Sequence, residues 1–344
     1  MAALLADDRT RRGRTATTIK APAAGAAPWR RLLPRRDAPL LGLDIGSSTV
    51  KAVVLRRRHG RVTLERAALV PTPPGVLTEG ALTDPLALAE RLKGLWKDMG
   101  AREKGVAAAI GGERVICQTD EPAPEQPQAA PEFVVEQAQL IGGFAPEASR
   151  TGFQPLGGNG ACMWAAAAVE LVDWVRQAVA LSGRSPVSVE PQACALVNSY
   201  GFNYRPDDND VRLLLNVGAR HLTVALAKGW TISYGRDVLI APDWLSPAES
   251  RPADRVVHGL ERHWSSIVAR ALPSRPSAVL LAGGGGDPKT AAVIRDLTGL
   301  EVQKLHPFTR IGYSPASEPG ALVAEQPELF AVAVGLALQS FPDL

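Results

Sequence analysis

Asp44, Gly46, Ser47, Ser48, Thr49 and Lys51 bring a carboxylate, a glycine turn, three hydroxyls and an amine together in one short stretch. Small residues let backbone N–H groups approach an anion closely, and a concave run of them makes a phosphate nest. The hydroxyls add donors, and Lys51 supplies a point charge suited to a β- or γ-phosphate. Asp44 closes an apolar strand and suits a Mg²⁺ ion reached through water, since that ion prefers carboxylate oxygen and keeps several waters. One such turn occurs in many plain hairpins. Here it has an echo: Asn216, Gly218 and Thr223 follow Leu215 at the spacing with which Asp44, Gly46 and Lys51 follow Leu43. Each copy continues through a second strand, a tight turn at Gly60 or Gly229, and a third strand. Two such β-hairpins facing each other can hold the phosphates of one nucleotide between them.

Two more stretches carry chemistry. From Val187 to Leu196 a strand delivers Glu190, Pro191 takes the first helical turn, and a small-residue helix follows. Glu190 is the candidate catalytic residue, able to orient a water or a metal shell at the base of a cleft. It is equally at home as a plain acid at a helix N-terminus. Further on, the buried strand Ala278–Ala282 runs into Gly283, Gly284, Gly285 and Gly286 and then a helix from Pro288. Backbone amides and the positive helix end would face a ligand there. A phosphate-binding P-loop is excluded, because Pro288 precedes Lys289 where that motif requires Gly. A wide glycine turn better suits a flat adenosine lying against the backbone.

The elements that position these residues need two cores. At 344 residues the chain exceeds one average domain. No apolar run reaches the roughly 20 residues that span a bilayer, and a basic N-terminus without an apolar stretch predicts no secretory leader. The three cysteines, Cys117, Cys162 and Cys194, lie far apart in apolar contexts, which suits reduced core thiols in the cytosol. Residues 1–37 scatter nine Lys and Arg among Ala, Pro and Thr and read as a disordered basic tail. That tail makes the small positive net charge misleading, since the remaining body is mildly acidic. Weak contact of the tail with anionic lipid follows from its charge. Specific nucleic-acid binding is not expected, as only Trp29 interleaves an aromatic with those charges. Asp84-Pro85 opens a helix, residues 106–110 and 114–118 read as neighbouring strands, and Pro122, Pro124 and Pro127 mark a subdomain crossing.

In order, Asp44–Lys51, Glu190–Leu196, Asn216–Thr223, Ala282–Gly286 and Ala331–Leu338 resemble the phosphate-1, connect-1, phosphate-2, adenosine and connect-2 segments of the actin, heat-shock chaperone and sugar-kinase superfamily. Within it, Leu41–Val53, Gly235–Val238, Leu305–Phe308 and Gly335–Leu338 are similar to the type IV pilus assembly family PilM, a relative of the cell-division protein FtsA. The resemblance covers about residues 40–340 and implies an α/β actin-like ATPase fold, with two ribonuclease-H-like domains around a nucleotide cleft. It implies a first domain over 38–195 with a small inserted subdomain at about 85–175. A second domain over 196–344 would send its C-terminal helix back to the first. By the same resemblance, Asp44, Gly46, Ser47, Ser48, Thr49, Lys51, Asn216, Gly218, Gly283, Gly284 and Gly285 bind ATP with Mg²⁺.

The implied role is a cytoplasmic adaptor at the inner face of the bacterial inner membrane. It would grip the N-terminal tail of a PilN-like bitopic membrane protein and be open to self-association. The chain departs from the family in two places. The family usually carries an adjacent Pro-Phe pair in the inserted region, whereas here Ala145 separates Phe144 from Pro146. Asn216 stands where the superfamily commonly has Asp, so slow or absent hydrolysis is expected. The alternatives are an ATP-dependent sugar kinase of the same fold and a type II secretion scaffold with a degenerate nucleotide site.

Overall fold

The computed structural model describes residues 39–78, 81–120, 130–156, 161–240 and 252–341. The expectations of a disordered tail over 1–37 and of a crossing at 121–127 lie outside the described residues.

Strand β1 (Leu41–Ile45) pairs antiparallel with β2 (Thr49–Arg58), which pairs antiparallel with β3 (Arg61–Pro71). The β2–β3 turn takes positive φ at both His59 and Gly60, the twist that a two-residue hairpin prefers. A short pair, β4 (Leu77–Thr78) and β5 (Ala81–Leu82), leads to α1 (Pro85–Asp98). Asp84 caps this helix by accepting from Ala87 N at 2.9 Å, and Pro85 occupies its first turn. Leu88, Leu92, Leu95 and Trp96 form its buried face. β6 (Gly105–Ile110) returns parallel to β1.

The chain then changes sheet. β7 (Val115–Asp120), α2 (Ala130–Gly142), β8 (Ser149–Pro155) and β9 (Cys162–Ala168) form the insert. α3 (Val169–Leu181), β10 (Ser185–Pro191) and α4 (Gln192–Tyr204) then complete the first layer. Its six-stranded sheet runs β10-β6-β1-β2-β3 and ends on the late strand β16, described below.

The second half repeats the pattern with β11 (Val211–Val217), β12 (His221–Lys228), β13 (Thr231–Leu239), α5 (Pro252–Ala271), β14 (Ala278–Ala282), α6 (Pro288–Thr298) and β15 (Glu301–Lys304). Strand order β13-β12-β11-β14-β15 matches β3-β2-β1-β6-β10 position for position, so the duplicated hairpins belong to duplicated sheets. β16 (Ile311–Gly312) crosses to the edge of the first sheet, followed by α7 (Glu318–Glu325) and α8 (Ala331–Ala337).

Two expectations about the insert change. β7 was expected beside β6, but it pairs instead with β13, and β9 and β8 extend that edge, giving the second sheet eight strands. The subdomain expected over 85–175 is therefore divided: α1 packs with α3 on the first half, while the strands from Val115 to Ala168 join the second. An apolar strand reads alike in either sheet, because sequence carries no record of which edge is open.

Helix α8 wedges between β1, β2 and α4. A Cβ on Gly335 would lie 1.8 Å from Ala195 O, and one on Gly42 would lie 2.1 Å from Ala333 O, so backbone meets backbone on both sides. Among the described residues no single helix is long and apolar enough to cross a membrane. Gly335→Ala should destabilise the protein by about 3 kcal/mol through overpacking. The urea-unfolding midpoint checks this, and an unchanged midpoint would mean that α8 is not locked at this crossing.

Candidate functional site

A cleft of about 700 Å³ opens between the two sheets. Its two ends are built alike. In the first turn Gly46 N donates to Thr49 O at 3.1 Å, and in the second Gly218 N donates to His221 O at 2.9 Å. Asp44 pairs with Lys51 across β1 and β2 as Asn216 pairs with Thr223 across β11 and β12. Thr72 fastens the first turn, its hydroxyl donating to Gly46 O at 2.6 Å while its N–H donates to Ser48 O at 2.9 Å.

Asp44, Gly46, Ser47, Ser48, Thr49, Lys51, Asn216, Gly218, Gly283, Gly284 and Gly285 all line this cleft. Lys51 Nζ lies 3.1 Å from Asp44 Oδ2, both largely buried. Gly283 adopts φ +84°, and a Cβ there would lie 2.4 Å from Val217 O, so the glycine is required. Gly285 N donates to Val217 O at 3.0 Å and Gly283 N to Glu328 O at 3.2 Å, joining the glycine turn to the second hairpin and to the segment before α8. Leu322, Leu329 and Phe330 give that end of the cleft an apolar wall.

Glu190 is the exception. It is fully buried and does not line the cleft. Burial pushes its carboxyl well above the usual carboxylate range, and the side chain lies in the core rather than at the cleft where the sequence reading put it. Gln192, two residues on, reaches the cleft instead. Its Oε1 accepts from Thr223 Oγ1 at 3.0 Å and its Nε2 faces Asp44 Oδ1 at 3.5 Å.

Asp237, on β13, is the other group that motif reading missed. It pairs with Thr223, lines the cleft, and accepts from Gly112 N at 2.7 Å through Oδ2. The Thr223 hydroxyl, which donates to Gln192 Oε1, also lies beside the Asp237 carboxylate, whose buried Oδ1 has no other donor. Burial raises its pKa to about 6, against the lowering effect of the Thr223 and Gly112 hydrogen bonds and with a smaller push from Asp44. The cleft floor thus gathers Asp44, Asp237, Gln192, Asn216 and Thr223, an oxygen-rich set that fits Mg²⁺ held through water.

Paired glycine turns closing duplicated sheets on a cleft define the actin-like ATPase fold. The comparisons narrow this class. Residues 42–120 match the family model of the type IV pilus assembly protein PilM. A chain of a PilM–PilN type IV pilus biogenesis complex is 26% identical, with a TM-score of 0.73 over 89% of this chain and 99% of that one. The chain is PilM-like. More distant folds include the ethanolamine utilization protein EutJ from Carboxydothermus hydrogenoformans, 13% identical with a TM-score of 0.47 over 91% of this chain and 92% of that one. The cytoplasmic domain of EpsL, from the type II secretion system of Vibrio cholerae, is 10% identical with a TM-score of 0.49 over 88% and 95%.

His221, at the cleft rim, has a pKa of about 4, pushed down from 6.5 chiefly by burial. An unfolded imidazole takes its proton near the ordinary value, whereas the folded one resists until about pH 4. Stability is therefore full above the ordinary value and falls with pH toward the folded one, by at most roughly 3 kcal/mol from this group. His221→Asn should lose less stability than the wild type between pH about 7 and about 4.5 in urea titrations. Equal losses would show that the ring is not held neutral.

Proposed function

We propose that this chain is a nucleotide-binding adaptor of a type IV pilus assembly platform, closing on ATP and Mg²⁺ and passing its state to a PilN-like membrane protein. The observation that carries this reading is the PilM–PilN likeness over 89% of this chain and 99% of that one, beside the paired glycine turns of this chain's own cleft. Ser47, Ser48, Thr49 and the Gly46 and Gly218 turns would cradle phosphates, with Lys51 as the charge partner. Gly283, Gly284 and Gly285 would lie under adenosine. The inserted strands and α2 would take the partner's N-terminal tail, and α2 leaves Leu140 and Ile141 exposed near its end. Binding would work at the inner face of the membrane through that partner, with self-association a further property to test.

Asn216 supplies shape without charge at the second turn, so hydrolysis is slow or absent. Calorimetry should register ATP binding to the full chain, weakened about tenfold or more by Lys51→Ala, the loss of one charged hydrogen-bonding group. ADP production should stay low with or without a pool of sugars, and Asn216→Asp should raise it. Strong sugar-dependent turnover would make the protein a kinase and end the adaptor reading.

One observation favours lipid contact beyond the tail. β3, β6 and β16 start, and β2 ends, at the edge of the first sheet opposite the cleft, where the described chain also begins at Pro39. Arg57, Arg58, Arg61, Arg102, Lys104 and Arg310 are exposed toward that end, where the acids Glu65 and Glu103 are paired with Arg56 and Arg66. Each basic group near an anionic surface contributes about 1 kcal/mol. The full chain should co-sediment with phosphatidylglycerol vesicles, and the triple change Arg58→Glu, Arg61→Glu, Arg310→Glu should release it at moderate salt. Binding indifferent to both salt and these changes would sink the contact.

A further inference from the structure

Asn216 removes a carboxylate from the place where the duplicated design puts one, yet the cleft is not short of charge. Asp237 stands one strand further into the same sheet, opposite Thr223, which is itself opposite Asn216. It is 7% exposed, and its Oδ1 lines the cleft with no donor besides a Thr223 hydroxyl that it shares with Gln192. A buried carboxylate short of donors is costly, and a cation in the cleft would relieve it. Across the cleft, Asp44 belongs to the other sheet, so the two carboxylates line the cleft from its two halves.

Asp237 also has a second attachment. Its Oδ2 receives Gly112 N at 2.7 Å, and a Cβ on Gly111 would lie 2.6 Å from that oxygen. Gly112 takes φ +116°, and these two glycines are where the chain leaves β6 of the first sheet to enter β7 of the second. The next residues of β13 carry β7 directly, with Arg236 opposite Ile116 and Gly235 opposite Cys117. Asp237 is therefore the one cleft carboxylate bonded to the root of the insert.

We propose that Asp237 is the second carboxylate of the divalent-cation site, replacing the charge absent at Asn216, and that it couples cation occupancy to the Gly111–Gly112 root of the inserted strands. This rests on the nucleotide-binding reading above. A cation drawn to Oδ1 competes for the charge that Oδ2 now gives Gly112 N, so filling the site loosens or re-aims that junction. Asn216 and Asp237 then form an exchangeable pair: the charge can sit on either strand, but only on β13 does it touch the insert.

The test reads the ratio of ATP affinities with Mg²⁺ and with EDTA, for the full chain and its variants, by calorimetry. Wild type should show a Mg²⁺ gain of about tenfold or more, a coupling of ordinary size. Asp237→Asn, which keeps an acceptor for Gly112, should reduce that gain to about twofold or less. Asn216→Asp added to Asp237→Asn should restore most of it, which also shows that the single variant is folded. Hydrogen exchange at residues 112–118 should change when Mg²⁺-ATP is added to wild type. It should not change in the double variant, where the charge no longer touches the insert. If Asp237→Asn retains the full Mg²⁺ gain, or the double variant still signals to residues 112–118, the inference fails while nucleotide binding stands. If wild type binds no ATP under either condition, the nucleotide reading itself falls and takes the inference with it.

Discussion

Two helices cross here without side chains between them. Gly335 of α8 lies against Ala195 O of α4, and the other flank of α8 rests on Gly42 of β1. α4 begins at Gln192 in the cleft and also packs on β12 and β13, so it touches both sheets. The distance between the two glycine turns is thus set by backbone contact rather than by adjustable side chains, which is what a rigid phosphate clamp needs. Replacing that contact with ordinary packing would push the sheets apart and misplace the cleft floor.

The polar floor depends on this spacing. Gln192 can accept from Thr223 and face Asp44 only because α4 delivers it between the two hairpins. The Thr223 hydroxyl is shared between Gln192 and Asp237, and burial raises the Asp237 pKa despite that contact. The polar pattern of the cleft floor therefore depends on where the N-terminus of α4 places Gln192. Glu190, two residues earlier on β10, is turned into the interior, where burial raises its pKa, so proximity in sequence to the cleft does not bring it to the cleft wall.

What could be read from residue order was local. The glycine turns, the Asp84 start of α1 and the duplicated strand pattern each depend on neighbours a few residues apart, and each is present. Glu190 was misplaced because a strand buried on both faces gives no sign of which face meets the cleft. Asp237 was hidden by a bulge. Counting back from the Gly229 turn pairs Thr223 with Arg236, but the register slips between Leu226 and Ala227 and brings Asp237 opposite instead. Strand β7 was assigned to the wrong sheet because its partner β13 lies more than a hundred residues away in sequence.

The slip has a structural consequence that links site and insert. A strand exposes alternate residues to opposite faces, so shifting β13 by one residue exchanges Arg236 for Asp237 at the cleft. Arg236 then turns away, stacks 4.9 Å over the Tyr234 ring and donates to Gln118 Oε1 of β7 at 3.0 Å. A register without the bulge would place a cation among the phosphate-facing turns and a carboxylate beside Gln118, leaving the cleft without its second acid and β7 without its anchor. The bulge thus settles both the sign of the cleft floor and the docking of the insert. Because the insert is hydrogen-bonded to the second sheet but enters and leaves through the first, any change in the angle between sheets must be absorbed at its two junctions. Gly112, at φ +116°, has the conformational freedom to absorb it at the entry that Asp237 holds, whereas the exit from β9 into α3 passes through the buried Ala168 with no glycine.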